Sequence, residues 1–396
     1  MPNLNLEGKN SALKRRIIEI CMNDGDCCIA DLSRELDTSI PTVTGVVSEL
    51  IDSGFLEELG KKGGTNGGRR PSVYGLNSAA GFFVGVDIHR DDLSFAVIDF
   101  RGQTVDYQEE IPFELRGTEE SFVNLCAQIK QLVANSGVPE DKVVAYGVNL
   151  TGRVNNVNGY SFTYFLGEDC PLPNLLQREL GAHVFIENDS RAMTYGEYVC
   201  GVAGSERDML FVNVSWGLGM GMIIDGKLSY GKSGFSGEIG HFPMLDNETM
   251  CHCGKIGCLE TGASGSAAHR IIVDKLRQGR ASVLSDKFSV GEEITLDDII
   301  DALNEEDVLA IETVEEIGTT LGRAIAGLIN IFNPELVVIG GVMSAARDYL
   351  MLPIRSAVQK HSLNIVSRDT SIKLSRLGKR CGAIGACVLA RSRALS

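Results

Sequence analysis

Apolar side chains along this chain recur at helical spacing first and at strand spacing later, and the change falls near residue 80. Leu13, Ile17, Ile18 and Cys21 share one face of a helix over 13–23, which Asn23-Asp24-Gly25 closes. A short helix is expected over 29–36, with Ile29, Leu32 and Leu36 on one side. The turn Asp37-Thr38-Ser39 follows, and Thr38 or Ser39 can cap a third helix over 40–53. Pro41 fits the first turn of that helix, where a missing N–H costs nothing. Val43, Val46, Val47, Leu50 and Ile51 face inward, while Ser39, Thr42, Thr44 and Gly45 stay outside. Three helices followed by a β-hairpin over 55–76 predict a winged helix-turn-helix in residues 1–77.

From Gly81 the chain reads differently. Residues 81–100 make two strands of a hairpin, and 143–150 and 183–189 are further apolar strands ending in polar residues. Helical stretches at 119–136 and 172–180 separate them. Residues 209–228 repeat the theme of strand, glycine turn and strand, and 336–341 is another buried strand after a helix near 308–332. Segment 281–308 is more polar and reads as a helical edge. Strand–turn–strand units interleaved with helices in each half predict two α/β lobes with a cleft between them. The expected lobes are 81–196 and 197–396, with the last helix returning to the first.

Length and charge sharpen this picture. A chain of 396 residues exceeds one ordinary domain, so two or three are expected. The net charge of −15 argues against sequence-independent coating of nucleic acid. Residues 1–77, with nine Lys/Arg and eleven Asp/Glu, are close to balance, and their basic residues are clumped. A phosphate backbone responds to clumping over a screening length of about 8 Å. The hairpin tip, Lys61-Lys62 through Arg69-Arg70-Pro71, is rich in glycine and basic, a form suited to a narrow A·T-rich minor groove. The expected DNA-facing residues are therefore Ser39, Pro41, Thr42 and Thr44 in the major groove, with Lys61, Lys62, Arg69 and Arg70 on the wing. No apolar run reaches the ~18 residues that span a bilayer, and the first residues lack a secretory apolar core. Cytoplasmic placement is expected, without a membrane partner. Its eleven cysteines then read as thiols and metal ligands.

Three of those cysteines, Cys251, Cys253 and Cys258, stand ten residues and more after His241 in a CxC-x4-C cluster. Three thiolates and one imidazole complete a tetrahedral shell with no position left for water, the structural rather than the catalytic form of a zinc site. Gly254 and Gly257 can relax the backbone around the short CxC. His241 and His252 both compete for the fourth place.

These residues carry a resemblance. The run 234–241, GFSGEIGH, followed by CHCGKIGCLE (251–260), resembles the signature of the ROK family: repressors, open reading frames and sugar kinases. The likeness runs through most of the chain, including the GGRRP wing, ENDSRAMTYGE (187–197), NPELVVIGG (333–341) and GKRCGAIGA (378–386). It implies an actin-like ATPase (ribonuclease H-like) fold for the two lobes. It also implies structural zinc on His241, Cys251, Cys253 and Cys258, in place of His252.

Kinase members of the family use a DxGGT turn and a GTGxG turn to bring backbone N–H groups to ATP, and an aspartate in an Asn-Asp pair as general base. Here the first turn reads Asp87-Ile88-His89-Arg90-Asp91, and the second Ser215-Trp216-Gly217-Leu218-Gly219. In the first turn bulky side chains replace both glycines and the threonine, and Asp91-Asp92 adds repulsion where a triphosphate would sit; in the second, Trp216 stands in place of the threonine. Loss of kinase activity is the expectation, leaving Asp189 as a vestigial base. The sugar side is kept: Asn188, Asp189, Glu238, His241 and Glu260 match the family's sugar contacts, a set of acceptors suited to the O–H donors of a hydroxylated ring. Arg191, where kinases have Asn, and the altered run 147–152 leave a sugar phosphate or a larger ligand open. The resulting expectation is a sugar-responsive repressor, dimeric or tetrameric, released from double-stranded operator DNA by a sugar or sugar derivative. An ATP-dependent sugar kinase with a DNA-binding appendage is the alternative. A third reading has the sensor dock a protein partner such as a sugar-transport component.

Overall fold

A computed structural model describes residues 10–61, 70–114, 116–161 and 170–395. The chain forms two compact units, residues 1–187 with 386–396 and residues 188–385.

The first unit begins with helices Ser11–Asn23, Ile29–Glu35 and Ile40–Asp52. Ile17, Ile18, Leu32, Val43, Val46 and Leu50 are all buried, as the helical spacing requires. Ser39 caps the third helix by accepting from the Thr42 N–H at 3.4 Å, while the Thr38 hydroxyl turns back to the Leu36 carbonyl. Strands Leu56–Lys61 and Ser72–Leu76 form the wing, and a short strand, Cys27–Cys28, adds a third member beside Ser72–Leu76. That two-residue strand has no periodicity to betray it in the sequence.

The base of the wing is tied to the rest of its unit. Arg101 donates to the Leu76 carbonyl and to Glu57, the latter at 3.1 Å. The Phe55 ring lies 5.7 Å from that of Phe100, whose carbonyl accepts from Arg391 Nε at 3.0 Å. The sheet behind them runs His183–Asn188, Val143–Leu150, Phe82–Ile88, Asp92–Asp99, Thr104–Pro112 in spatial order. Phe82–Ile88 is parallel to Val143–Leu150 and antiparallel to Asp92–Asp99. Val143–Leu150 is buried along its whole length, the mark of a strand covered on both faces. Leu125, Ile129 and Leu132 of helix Glu119–Asn135 and Leu176 of Leu172–Leu180 join Val84, Val86 and Phe95 in one core. The edge strand Thr104–Pro112 is half exposed and was not foreseen from its polar composition.

The second unit holds a sheet in the order Lys227–Leu228, Leu218–Ile224, Met209–Val214, Leu336–Gly340, Ser371–Leu374. Alternate residues of Met209–Val214 feed different cores. Leu210, Val212 and Val214 pack with helices Gly265–Arg277, Leu296–Asn304, Val308–Phe332 and Asp348–His361. Met209 and Phe211 pack with Met193 on the opposite side.

Met193 belongs to helix Asp189–Cys200, and this helix corrects the expected boundary. The division falls after Glu187, not at 196/197, because the helix lies on strand Leu218–Ile224 of the second sheet. Gly219 and Gly221 permit that approach: a Cβ at either would collide with the hydroxyl of Ser190 or of Thr194. The last helix, Cys381–Leu395, begins in the second unit and ends in the first.

Candidate functional site

Asn188 and Asp189 stand where a strand turns directly into a helix. Asn188 is the N-cap, its Oδ1 accepting from the Arg191 N–H at 3.2 Å, while its Nδ2 donates to Asp189 Oδ1 at 2.8 Å. The same Asp189 oxygen also accepts from the Ser190 N–H at 2.6 Å and the Ser190 hydroxyl at 3.2 Å. Three donors on one oxygen fix the plane of the carboxylate at the helix N-terminus, where partial positive charge favours it. Arg191 is buried, with its guanidinium carbon 5.9 Å from the centroid of the Tyr230 ring.

The other residues expected to contact a sugar gather around the cysteine loop of the same unit. Glu238 precedes a single 3-10 turn, Ile239–His241, and its Oε2 lies 3.8 Å from His241 Nε2. The opposite ring nitrogen, Nδ1, is 3.7 Å from Cys251 Sγ, and Cys253 Sγ is 3.6 Å from Cys258 Sγ. The Cys251 N–H bonds the Lys255 carbonyl at 2.8 Å and the Gly254 N–H the Cys251 carbonyl at 2.9 Å, folding the CxC into a knuckle. Gly254 and Gly257 take φ of 82° and 78°, a left-handed backbone that explains why glycine occupies both places.

His241, Cys251, Cys253 and Cys258 bring four donor atoms within 4.8 Å of one another and could hold a metal ion. Around a tetrahedral ion with thiolates at about 2.3 Å, the sulfurs stand about 3.8 Å apart. The observed separations fit that frame. Burial pushes the Cys251 thiol up to about 12, so without a cation its sulfur keeps its proton. His252 stands outside this set. Its Nδ1 lies 2.9 Å from Glu260 Oε1, while Glu260 Oε2 accepts from the Leu218 N–H at 3.0 Å. Nothing in the spacing of the sequence announces the His252–Glu260 pair.

The two turns expected to stand where kinases bind nucleotide make side-chain contacts of their own. His89 Nε2 is 3.0 Å from Asp87 Oδ2 and its Nδ1 2.7 Å from Asp92 Oδ1. Burial by itself would lower the imidazole's affinity for a proton, but Asp87 and Asp92 outweigh it and hold His89 well above its ordinary value. The charge of Asp92, read from the sequence as repulsion toward phosphate, is thus countered within the turn. Asp87 is fully buried, and its Oδ1 has no hydrogen-bond partner among the described residues. In the second turn Trp216 lies half-exposed against His269, ring centroids 5.4 Å apart. Ser215 is bonded to Asn213 at 2.7 Å and accepts from the Val342 N–H at 3.3 Å.

On the winged helix, Ser39, Pro41, Thr42 and Thr44 are all exposed at the start of the third helix. The Ser39 and Thr42 hydroxyls bond each other at 2.8 Å, and Thr44 donates to the Ile40 carbonyl at 2.8 Å. Ile40, missed in the sequence, is 56 % exposed between them and offers an apolar surface of the kind that meets a thymine methyl. Lys61 and Arg70 are exposed at the same end of the wing, where Lys61 pairs with Ser72; Lys62 and Arg69 lie outside the described residues.

The chain belongs to the ROK family, whose model matches residues 83–393, and a winged helix-turn-helix DNA-binding model matches residues 11–57. The xylose repressor of Caldicellulosiruptor bescii is 29% identical over 374 residues, 92% of each chain. The DNA-binding transcriptional dual regulator NagC of Escherichia coli is 28% identical over 390 residues, covering 98% of this chain and 93% of its own. A crystal structure of a ROK family transcriptional regulator, a homolog of the Escherichia coli Mlc protein, matches with a TM-score of 0.81 at 27% identity over 97% of this chain and 96% of its own. A ROK glucokinase from Streptomyces griseus, solved with glucose and AMPPNP, matches with a TM-score of 0.68 at 27% identity, over 79% of this chain and 100% of its own. The architecture is therefore a winged helix-turn-helix followed by the actin-like fold that ROK regulators share with ROK kinases. Among the described residues no helix is long and apolar enough to cross a membrane.

Proposed function

We propose that this protein is a sugar-responsive transcriptional repressor, working in the cytoplasm, that leaves its operator when a sugar or sugar derivative binds the ROK unit. The observation that carries this reading is the union, in one chain, of an exposed recognition helix with the acceptor set Asn188, Asp189, Glu238, His241 and Glu260. Two heads in a dimer, or two dimers in a tetramer, would read a pseudo-palindromic operator through the third helix, with Lys61, Lys62, Arg69 and Arg70 on the flanking backbone and minor groove. The sugar must favour one state of the protein: moving from mostly bound to mostly released takes a differential affinity of about 5.5 kcal/mol.

Zinc is the ion that three thiolates and an imidazole select. Bound there, it would hold the loop between Glu238 and Glu260 and leave both carboxylates facing a ligand. Arg191 favours a ligand that carries an anionic group, so sugar phosphates belong in the test beside free sugars.

Kinase activity is lost in this reading, because His89 and Trp216 fill the turns through which the kinase members approach phosphate. The match to a glucokinase solved with a nucleotide analogue keeps the opposite reading in view, and ATP turnover decides between them. The central experiment is footprinting on the chain's own upstream region with xylose, glucose, N-acetylglucosamine and their phosphates. Release by one of them is the expected result. Operator binding that ignores every sugar but yields to a protein such as a transport component would replace the proposal with a docking sensor.

A further inference from the structure

We propose that His252 stands in for the sugar: in the sugar-free protein its imidazole holds the Glu260 oxygen that a sugar hydroxyl would take, and so sets how tightly the site binds. This rests on the assignment of Glu260 as a sugar contact made above.

Glu260 has little room to choose its partners. Its side chain is 11 % exposed, and Oε2 is held by the Leu218 N–H at 3.0 Å. Backbone closes that side, since a Cβ on Gly217 or Gly240 would stand 3.1 or 3.3 Å from Oε2. Oε1 faces His252 Nδ1 at 2.9 Å and the Cys251 sulfur at 3.8 Å, the latter itself 3.8 Å from Nδ1, so the imidazole is the nearer partner a hydroxyl would displace. The His252 side chain is itself 69 % exposed, so little packing has to be undone for the ring to swing away. Its neighbours Cys251 and Cys253 belong to the four-donor cluster, and the bonds from the Cys251 N–H to the Lys255 carbonyl and from the Gly254 N–H to the Cys251 carbonyl hold the backbone around it. The ring also stands edge-on to His241, centroids 5.2 Å apart. It thus touches two of the five residues assigned to the sugar.

A hydroxyl arriving at Oε1 gains a bond to a carboxylate only by breaking the one already there. Wild-type affinity is lower by the worth of that bond. A ring whose hydroxyls do not reach Glu260 leaves His252 in place and is indifferent to it.

The test is calorimetry on the full, metal-loaded chain with xylose, glucose, N-acetylglucosamine and their phosphates. It compares wild type, His252→Ala, His252→Asn and Glu260→Gln, with metal content measured on each. His252→Ala should tighten the sugar that binds wild type about fivefold, the worth of one net hydrogen bond. His252→Asn, whose amide N–H occupies the place of Nδ1–H, should stay near wild type. Unchanged or weaker binding in His252→Ala overturns the proposal, and so does loss of metal, which would make His252 a ligand. Binding that is lost in Glu260→Gln yet unmoved by His252→Ala sinks this inference alone. Indifference to Glu260→Gln removes the assignment of Glu260 itself. Nitrogen-15 spectra of the sugar-free protein give a readout independent of any sugar: His252 Nδ1 should carry a proton, and a bare Nδ1 overturns the proposal.

Discussion

The turn at Asp87–His89–Asp92 and the loop from Glu238 to Glu260 are both polar, both match functional motifs of the family, and dispose of their charges in opposite ways. In the turn, one imidazole meets two carboxylates at 3.0 and 2.7 Å, while Asp87 Oδ1 keeps no hydrogen-bond partner among the described residues. In the loop, three cysteine sulfurs and an imidazole converge on a point that could hold a metal ion, and Glu238 is left 41 % exposed beside it. In the proposed reading, charges that pair within the chain close a site, and like donors gathered around one point leave it open to a ligand. On the function proposed above, the nucleotide side is closed and the sugar side available, which would let a regulator and a kinase share one fold.

Four experiments would break or sharpen this contrast. Cys258→Ser removes one of the four proposed ligands and should take metal content from stoichiometric to trace, with sugar response lost and the unfolding temperature lowered; metal analysis and a thermal melt check it. Retained induction in the metal-free variant would show the loop to be self-sufficient after all. Asp189→Ala should weaken sugar binding about a hundredfold, as expected for two hydrogen bonds to a charged acceptor at about 1.5 kcal/mol each, and should leave operator affinity without sugar unchanged. If wild type instead turns over ATP and the variant does not, Asp189 is a working base and the turn is not filled. Arg70→Ala should reduce the salt slope of operator binding by about one unit, with no effect on sugar affinity. The smallest effect belongs to His89→Gln. The proton affinity of His89 is raised on folding, so its ion pairs stabilise fully below the unfolded value of about 6.5 and fade as pH rises through the folded one. The variant should therefore be less stable than wild type in acid, and the gap should narrow toward alkaline pH in denaturant melts.

The winged helix was legible because its rules are local. The spacing of Val43, Val46, Val47 and Leu50, a capping serine and Pro41 each act within one or two turns, and the helix appears at Ile40–Asp52. The cysteine cluster was legible for the same reason, since ligand spacing along a short knuckle is itself local. Edge strand Thr104–Pro112 carries too few apolar residues to announce itself, and Cys27–Cys28 is a strand only because Val73 and Tyr74 lie beside it.

What the amino-acid order determined alone is therefore the DNA head, the alternation of strands and helices, and which residues can ligate or accept. Tertiary structure decided how those residues are shared out. Helix Asp189–Cys200 falls to the second unit because two glycines on a distant strand admit its hydroxyls. The ring of His89 lies between two aspartates, and that of His252 on Glu260, because backbone turns bring them there. Spacing tells which groups exist on a short segment; only packing tells which of them have already found each other.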